Sequence, residues 1–155
     1  MPTIILDVPL HAQERANSCW NTAAYMIWLY WQGQTMRQGP MNTVATAYAR
    51  SDSSGLSPQE FITLANTVGL RGLPLRTLHS SAHLHGYLTN HGPLWCAGYW
   101  YGVGHIIVLT GVKDGTIYFN DPDGGVKKKE TVNWFNTRLA NSLAGCLMYK
   151  DLNRY

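Results

Sequence analysis

The chain has 155 residues, 45% of them hydrophobic and only 14% charged, with a formal net charge of +3. That length suits one well-packed domain and is short for two, and the composition excludes an intrinsically disordered chain. The one compact basic run, Lys127-Lys128-Lys129, is too small a footprint for a nucleic-acid binder and reads instead as a solvated hairpin edge, where lysine discourages edge-to-edge pairing.

The N-terminus, Met1 to Asp7, has neither a basic n-region nor a long apolar h-region, so no signal peptide is expected. A short extended piece from Ile4 to Val8 is stopped by Pro9. A helix then begins near Cys19, with Asn17 or Ser18 as its N-cap. Trp20, Ala23, Ala24, Ile27, Trp28 and Trp31 follow the spacing of one helical face, and Tyr25, Met26, Leu29 and Tyr30 fill the other side. Such a helix is central and mostly buried. Its apolar stretch, Ala23 to Trp31, is about half the ~20 residues that span a bilayer, so no membrane association is expected.

A second helix is predicted from Met41 to Arg50, after which Ser51 to Gly55 is a loop too short to divide domains. A third helix has Ser57 as N-cap, Pro58 at its first position, Glu60 reaching back and Gly69 as its stop. Ser81 to Asn90 is a fourth, ended by His91-Gly92-Pro93. His79, His83, His85 and His91 have no cysteine or acidic residue at ligand spacing. A surface helix accounts for them, and neither a metal nor another cofactor is expected.

After Pro93 the chain changes character. Leu94 to Tyr99, His105 to Val112 and Thr116 to Asn120 are short and rich in β-branched and aromatic residues. Asp114-Gly115 is a tight hairpin signal, and Asp121 to Gly125 is another turn. Val126 to Thr131 continues the sheet, Val132 to Ala140 is a helix, and Cys146 to Lys150 is a final strand. Helices followed by an antiparallel sheet make a single α+β domain over residues 1–155.

Thiol catalysis needs a thiolate, a base beside it, an orienter for that base and donors for an oxyanion. Cys19, at a helix start, has unsatisfied N–H groups and the helix dipole to favour its negative charge. A lone cysteine there is ordinarily structural; its company makes it a nucleophile. His105 opens a strand directly after Gly104. Asp121 follows sixteen residues later, where a hairpin of that length returns beside its start, so it can accept a hydrogen bond from His105 Nδ1–H. Asn120 and Asp123 compete for the orienter's role, and strand alternation lets only one of residues 120 and 121 face the site. Gln13, six residues before Cys19, supplies a side-chain amide to join the Cys19 N–H as the oxyanion hole. Cys96 and Cys146 read as small buried hydrophobes on strands, close enough to pair if those strands are neighbours. Tyr99, Trp100 and Tyr101, between Gly98 and Gly104, read either as core aromatics on a β-loop or as one wall of a substrate groove.

Gln13-x5-Cys19-Trp20, then Gly104-His105, then Asn120-Asp121-Pro122, resembles the papain-like cysteine peptidases. In them a Gln, a Cys-Trp at a helix start, a His and an Asn or Asp occur in this order. The chain looks most like the compact bacterial branch: peptidases that cut leader peptides after double glycine, and related secreted effectors. His105-Ile-Ile-Val-Leu-Thr-Gly111 and Asp121-Pro122 carry that likeness, from roughly Val8 to Gly125. The resemblance implies a papain-like fold in which a central catalytic helix from a helical N-terminal half packs on a C-terminal antiparallel sheet. It implies a Cys19–His105–Asp121 triad with Gln13 as oxyanion donor. The aromatic loop itself, if it is a groove wall, leads to the expectation of a groove near Trp20, Tyr99, Trp100, Tyr101 and Gly104 that accepts small residues, glycine especially, just upstream of the cut. The resemblance also implies a protein or peptide substrate. A short, signal-less member further suggests a toxin or effector module delivered into another cell, acting in its cytoplasm and held in check in the producer by an inhibitor protein over the Cys19 groove. The same triad would serve a peptidoglycan amidase, a deamidase or an acyltransferase, which share the acyl-thioester step. A binding module that has lost its chemistry is the third reading; such a module usually lacks the nucleophile or the base.

Overall fold

The computed structural model describes residues 3–13, 19–35, 58–67 and 69–152. Among these, four helices pack on a seven-stranded antiparallel sheet, the α+β arrangement expected. In chain order the elements are β1 (Thr3–Ile5), α1 (Cys19–Thr35), α2 (Pro58–Thr67), β2 (Leu70–Gly72), α3 (Ser81–His91), β3 (Leu94–Gly98), β4 (His105–Lys113), β5 (Thr116–Asp121), β6 (Val126–Thr131), α4 (Val132–Arg138) and β7 (Leu147–Lys150). The helix expected over Met41 to Arg50 and the caps expected at Asn17, Ser18 and Ser57 lie outside the described residues. No helix among the described residues is long and apolar enough to cross a membrane.

The sheet runs β2-β7-β3-β4-β5-β6. Its centre is β4, whose sequence His-Ile-Ile-Val-Leu is buried from Ile106 onward because strands flank it on both sides. One edge of β4 takes two partners in tandem. β3 pairs with residues 105–109, and β1 pairs with 111–113. The ladder to β5 shifts between Leu109 and Gly111, a bulge that leaves Thr110 to accept from the Leu6 amide and donate its hydroxyl to the Tyr118 carbonyl. Gly111 is required at that crossing: a Cβ there would stand 2.7 Å from the Ile4 carbonyl oxygen. The β4–β5 hairpin turns through Asp114 and Gly115, both at positive φ (50° and 78°), as a two-residue turn between twisted strands demands.

The expected sheet half of the chain gains two strands from the other half. β1 is shorter than the predicted Ile4 to Val8, and β2 was not expected at all. Three residues carry little alternation, and β2 exists because its backbone finds β7. Helix α1 is buried along most of its first three turns, with Trp20, Ala23, Met26 and Ile27 at 0% exposure. α3 starts one residue beyond its cap Ser80, whose hydroxyl accepts from the His83 amide while the His83 ring accepts from the Ser80 amide.

His79 does not sit on a surface helix as expected. It precedes α3 and is buried against Tyr87 and Phe135, and Asn136 bonds both its amide and its carbonyl. Burial first, then the nearby charges of Arg76 and His83, push its pKa down to about 4, so it stays neutral.

Candidate active site

Three segments converge at one end of the sheet: the start of α1, the start of β4 and the end of β5. Cys19 is the first residue of α1 and is nearly enclosed, at 2% exposure. A helix's first N–H groups have no intrahelical partner, so its start is electropositive. His105 opens β4 opposite Gly98, and Cys19 is among the groups that favour charge on its ring. Asp121 ends β5, fully buried, and its Oδ1 lies 2.7 Å from His105 Nε2.

The ring nitrogen differs from the expected one. The imidazole approaches the carboxylate with Nε2 rather than Nδ1, which leaves Nδ1 for the cysteine side. Burial opposes charge on His105, but hydrogen bonds to Asp121 and Cys19 outweigh it and raise the pKa to about 9. The imidazole is therefore protonated at neutral pH. Burial likewise opposes charge on Asp121, yet bonds from His105, Lys128 and the Asp123 amide bring its carboxyl down to about 2. The two groups form a buried ion pair. An uncompensated carboxylate in that position would cost several kcal/mol.

Strand alternation separates Asp121 from its neighbour. Asn120 turns the other way and donates to the Val8 carbonyl and the Met26 Sδ of α1, tying helix to sheet. Asp123, the other competitor, is exposed, and its backbone amide donates to Asp121 Oδ1 at 2.9 Å.

Gln13 is brought to the same corner. Its backbone N–H donates to the Pro122 carbonyl at 2.7 Å, and a Cβ on Gly125 would press against Ala12, so Ala12 and Gln13 lie directly on the turn after Asp121.

The expected groove residues divide. Trp20 is wholly buried beneath β3, its carbonyl accepting from Trp95 Nε1, so it supports the helix and lines no open groove. Trp100, 1% exposed, is also a correction. It stacks on Trp134 and Phe135 and donates to the Cys96 carbonyl. Tyr99 and Tyr101 are about half exposed on the loop that ends at Gly104, itself partly exposed and next to His105. The Tyr101 ring centroid is 6.3 Å from that of His105.

Lys128 was missed. It sits on β6 opposite Phe119, which places it diagonally from Asp121 on the same face. Its Nζ lies 2.9 Å from Asp121 Oδ2 and 3.0 Å from the Tyr101 hydroxyl. Only Lys127 and Lys129 of the triplet are solvated as expected. Cys96 and Cys146 are free and buried. Desolvation raises both thiols, Cys146 to about 11, so neither ionises at neutral pH.

The arrangement has the parts of a thiol hydrolase: a sulfur at a helix start, a charged imidazole beside it and a buried carboxylate behind. A model of the family described as papain-like cysteine protease AvrRpt2 matches residues 2–140. Among solved structures, the chain is similar to a double glycine motif protease from an AMS/PCAT transporter in complex with its leader peptide. The identity is 19% and the TM-score 0.58, covering 93% of this chain and 90% of that one, a likeness of fold. No match was found among curated protein sequences.

Proposed function

We propose that this chain, which belongs to the AvrRpt2 family of papain-like cysteine proteases, cuts protein substrates through a Cys19–His105–Asp121 triad. Membership makes it a cysteine peptidase and therefore a hydrolase; the residues that perform the reaction are our assignment. The observation that carries the assignment is the position of His105, whose ring bonds Asp121 through Nε2 at 2.7 Å and whose charge is supported by both Asp121 and Cys19.

The chemistry follows from that geometry. In the proposed reaction the Cys19 thiol gives its proton up and its sulfur acts as the nucleophile, with His105 as the imidazolium beside it. Sγ attacks the peptide carbonyl carbon, and the C=O electron pair moves onto oxygen. The Cys19 N–H and the Gln13 side-chain amide stabilise that oxyanion. The tetrahedral species collapses as the C–N bond breaks, and His105 gives its proton to the departing amine, leaving an acyl-thioester on Cys19. Water then loses a proton to His105 and attacks the thioester carbon; the C–S bond breaks, returning the sulfur as thiolate beside the imidazolium, and the new carboxylic acid gives its proton to solvent. Asp121 holds the ring in place and stabilises its charge throughout.

The half-exposed Tyr99 and Tyr101, on the loop that leads into His105, would narrow the approach to Cys19 and so favour glycine or another small residue just upstream of the cut. The structural neighbour, a double glycine motif protease bound to a leader peptide, supports a peptide in that place. Likeness to the compact bacterial peptidases, secreted effectors among them, supports a toxin or effector role inside a target cell, with an inhibitor protein covering the groove in the producer. Harmless expression in bacteria with Cys19 intact would count against an antibacterial role.

The test is to incubate the chain and its Cys19→Ala variant with a denatured protein mixture and sequence new N-termini by mass spectrometry. The triad reading expects new termini with the parent chain only, small residues preceding them. No new termini, with release of peptide from purified peptidoglycan instead, would overturn it in favour of an amidase.

A further inference from the structure

The Lys128 ammonium joins two parts of the site that are remote in sequence. It bonds the oxygen of Asp121 that His105 does not use, at 2.9 Å, and the hydroxyl of Tyr101, at 3.0 Å, with its nitrogen 4.4 Å from the centre of the Tyr101 ring. Tyr101 lies on the β3–β4 loop that edges the approach to His105, and its ring leans 6.2 Å from Trp134 of α4. Trp134 in turn stacks on Phe119, the residue across the ladder from Lys128. The lysine stem is therefore held at the base by a strand pair and at the tip by two polar partners. Its side chain is about one-third exposed, whereas that of Asp121 is 1% exposed. Burial opposes the lysine charge, but the bonds to Tyr101 and Asp121 hold its pKa up at about 12, so the contact persists across the working pH range.

We propose that Lys128 is a positioning residue that pins Asp121 and the Tyr101 loop as one unit, setting the orientation of His105 and the adjacent groove wall together. This rests on the reading of Asp121 as the residue that orients His105. Without the ammonium, one carboxylate oxygen and the loop tyrosine each lose their fixed partner. Oδ1 keeps His105 and the Asp123 amide, but Oδ2 is left buried without its cation, and the loop is free to move away from the approach to Cys19.

A pH signature follows. Asp121 is faced by His105 from β4, Lys128 from β6, the Asp123 amide from the following turn and Tyr101 from the β3–β4 loop. His105 is faced by Cys19 from α1, by Asp121 and by Tyr101. Lys127 and Lys129 stand on the exposed face of β6. Lys128 thus offsets part of the negative field that keeps His105 protonated. Removing its charge strengthens that field and raises the pH at which His105 loses its proton, by about half a unit to one unit for a partly solvated charge this close.

The experiment follows alkylation of Cys19 by iodoacetate as a function of pH, read by peptide mapping. The anionic reagent reacts best while the imidazolium is present, so the upper limb of the profile reports His105. Lys128→Met should move that limb upward, Lys128→Arg should return it close to the parent position, and Lys129→Met, with the same charge change on the opposite face, should leave it in place. With a peptide substrate, Tyr101→Phe should raise KM several-fold with little change in the limb, while Lys128→Met changes both. An unmoved limb in Lys128→Met, or an equal movement in Lys129→Met, overturns the proposal. Asp121→Asn separates the two levels. If it is as active as the parent chain, the orienter reading fails and this proposal with it; if it is impaired while Lys128→Met is silent, only the role of Lys128 is lost.

Discussion

At the scale of single residues, the site is governed by two opposed shifts on one contact. His105 is raised from an ordinary value of 6.5 to about 9, and Asp121 is lowered from 3.8 to about 2: against the cost of burial, each supplies charge the other needs, with Cys19 adding to the first shift and Lys128 and the Asp123 amide to the second. The linkage has a definite sign for each. Stability drawn from the raised histidine is complete below about 6.5 and is lost as pH rises through 9. Stability drawn from the lowered carboxyl is complete above about 4 and is lost as pH falls through 2. Urea midpoints should therefore separate the parent chain from Asp121→Asn at pH 6 and converge as pH falls toward 2. The same pair predicts that kcat/KM declines above about pH 9, where the imidazolium that protonates the leaving amine is lost. At pH 7, Asp121→Asn should lower kcat/KM by about tenfold or more, since an amide orients the ring without stabilising its charge. A variant with parent-like activity and a parent-like urea profile would remove Asp121 from the account.

Residues also show where sequence reasoning stops. That Asp121 and not Asn120 faces His105 is a matter of which parity the β5 ladder takes, and neighbouring positions look alike until the register is known. The ring nitrogen that meets the carboxylate depends on the direction from which a side chain arrives, which no spacing encodes. Lys128 was hidden for a third reason. In a run of three lysines each reads as solvent-facing, and only the pairing of β6 with β5 shows that the middle one is diagonal to a buried carboxylate.

Elements were more legible than their partners. The β4–β5 hairpin was readable because Asp114-Gly115 demands positive φ at both positions, and α3 because His91-Gly92-Pro93 ends it. The order of strands was not readable. β1 and β2 are three residues each, and their existence is decided by the edges of β4 and β7 that accept them. Gly111 makes the dependence concrete, because β1 crosses close enough to exclude any side chain there. Gly111→Ala should cost about 1–3 kcal/mol in urea denaturation, since the nearest atoms are backbone and one partner must move. An alanine variant as stable as the parent would show that β1 is not held against the bulge.

At the scale of the whole molecule, the fold places a helix start, a central strand and a hairpin end at one corner, and those three supply sulfur, imidazole and carboxylate. The order of these residues along the chain was visible in the sequence, and so was the family that uses them; the network behind them was not. Aromatic side chains expected at the groove divide between support and surface. Trp20 and Trp100 are packed beneath the site, while Tyr99 and Tyr101 remain open to solvent. The thiols divide in the same way. Cys96 and Cys146 are buried and hard to ionise, so Cys19 alone has a histidine beside it among the described cysteines.

That contrast gives the most direct measurement. The chain is treated at pH 7 with a peptidyl epoxide that alkylates thiolates, and the adduct is located by peptide mapping. The account predicts a single adduct on Cys19, absent in Cys19→Ala and formed at least about a hundredfold more slowly in His105→Ala. An adduct on Cys96 or Cys146, or a Cys19 adduct that forms as fast without His105, would contradict it.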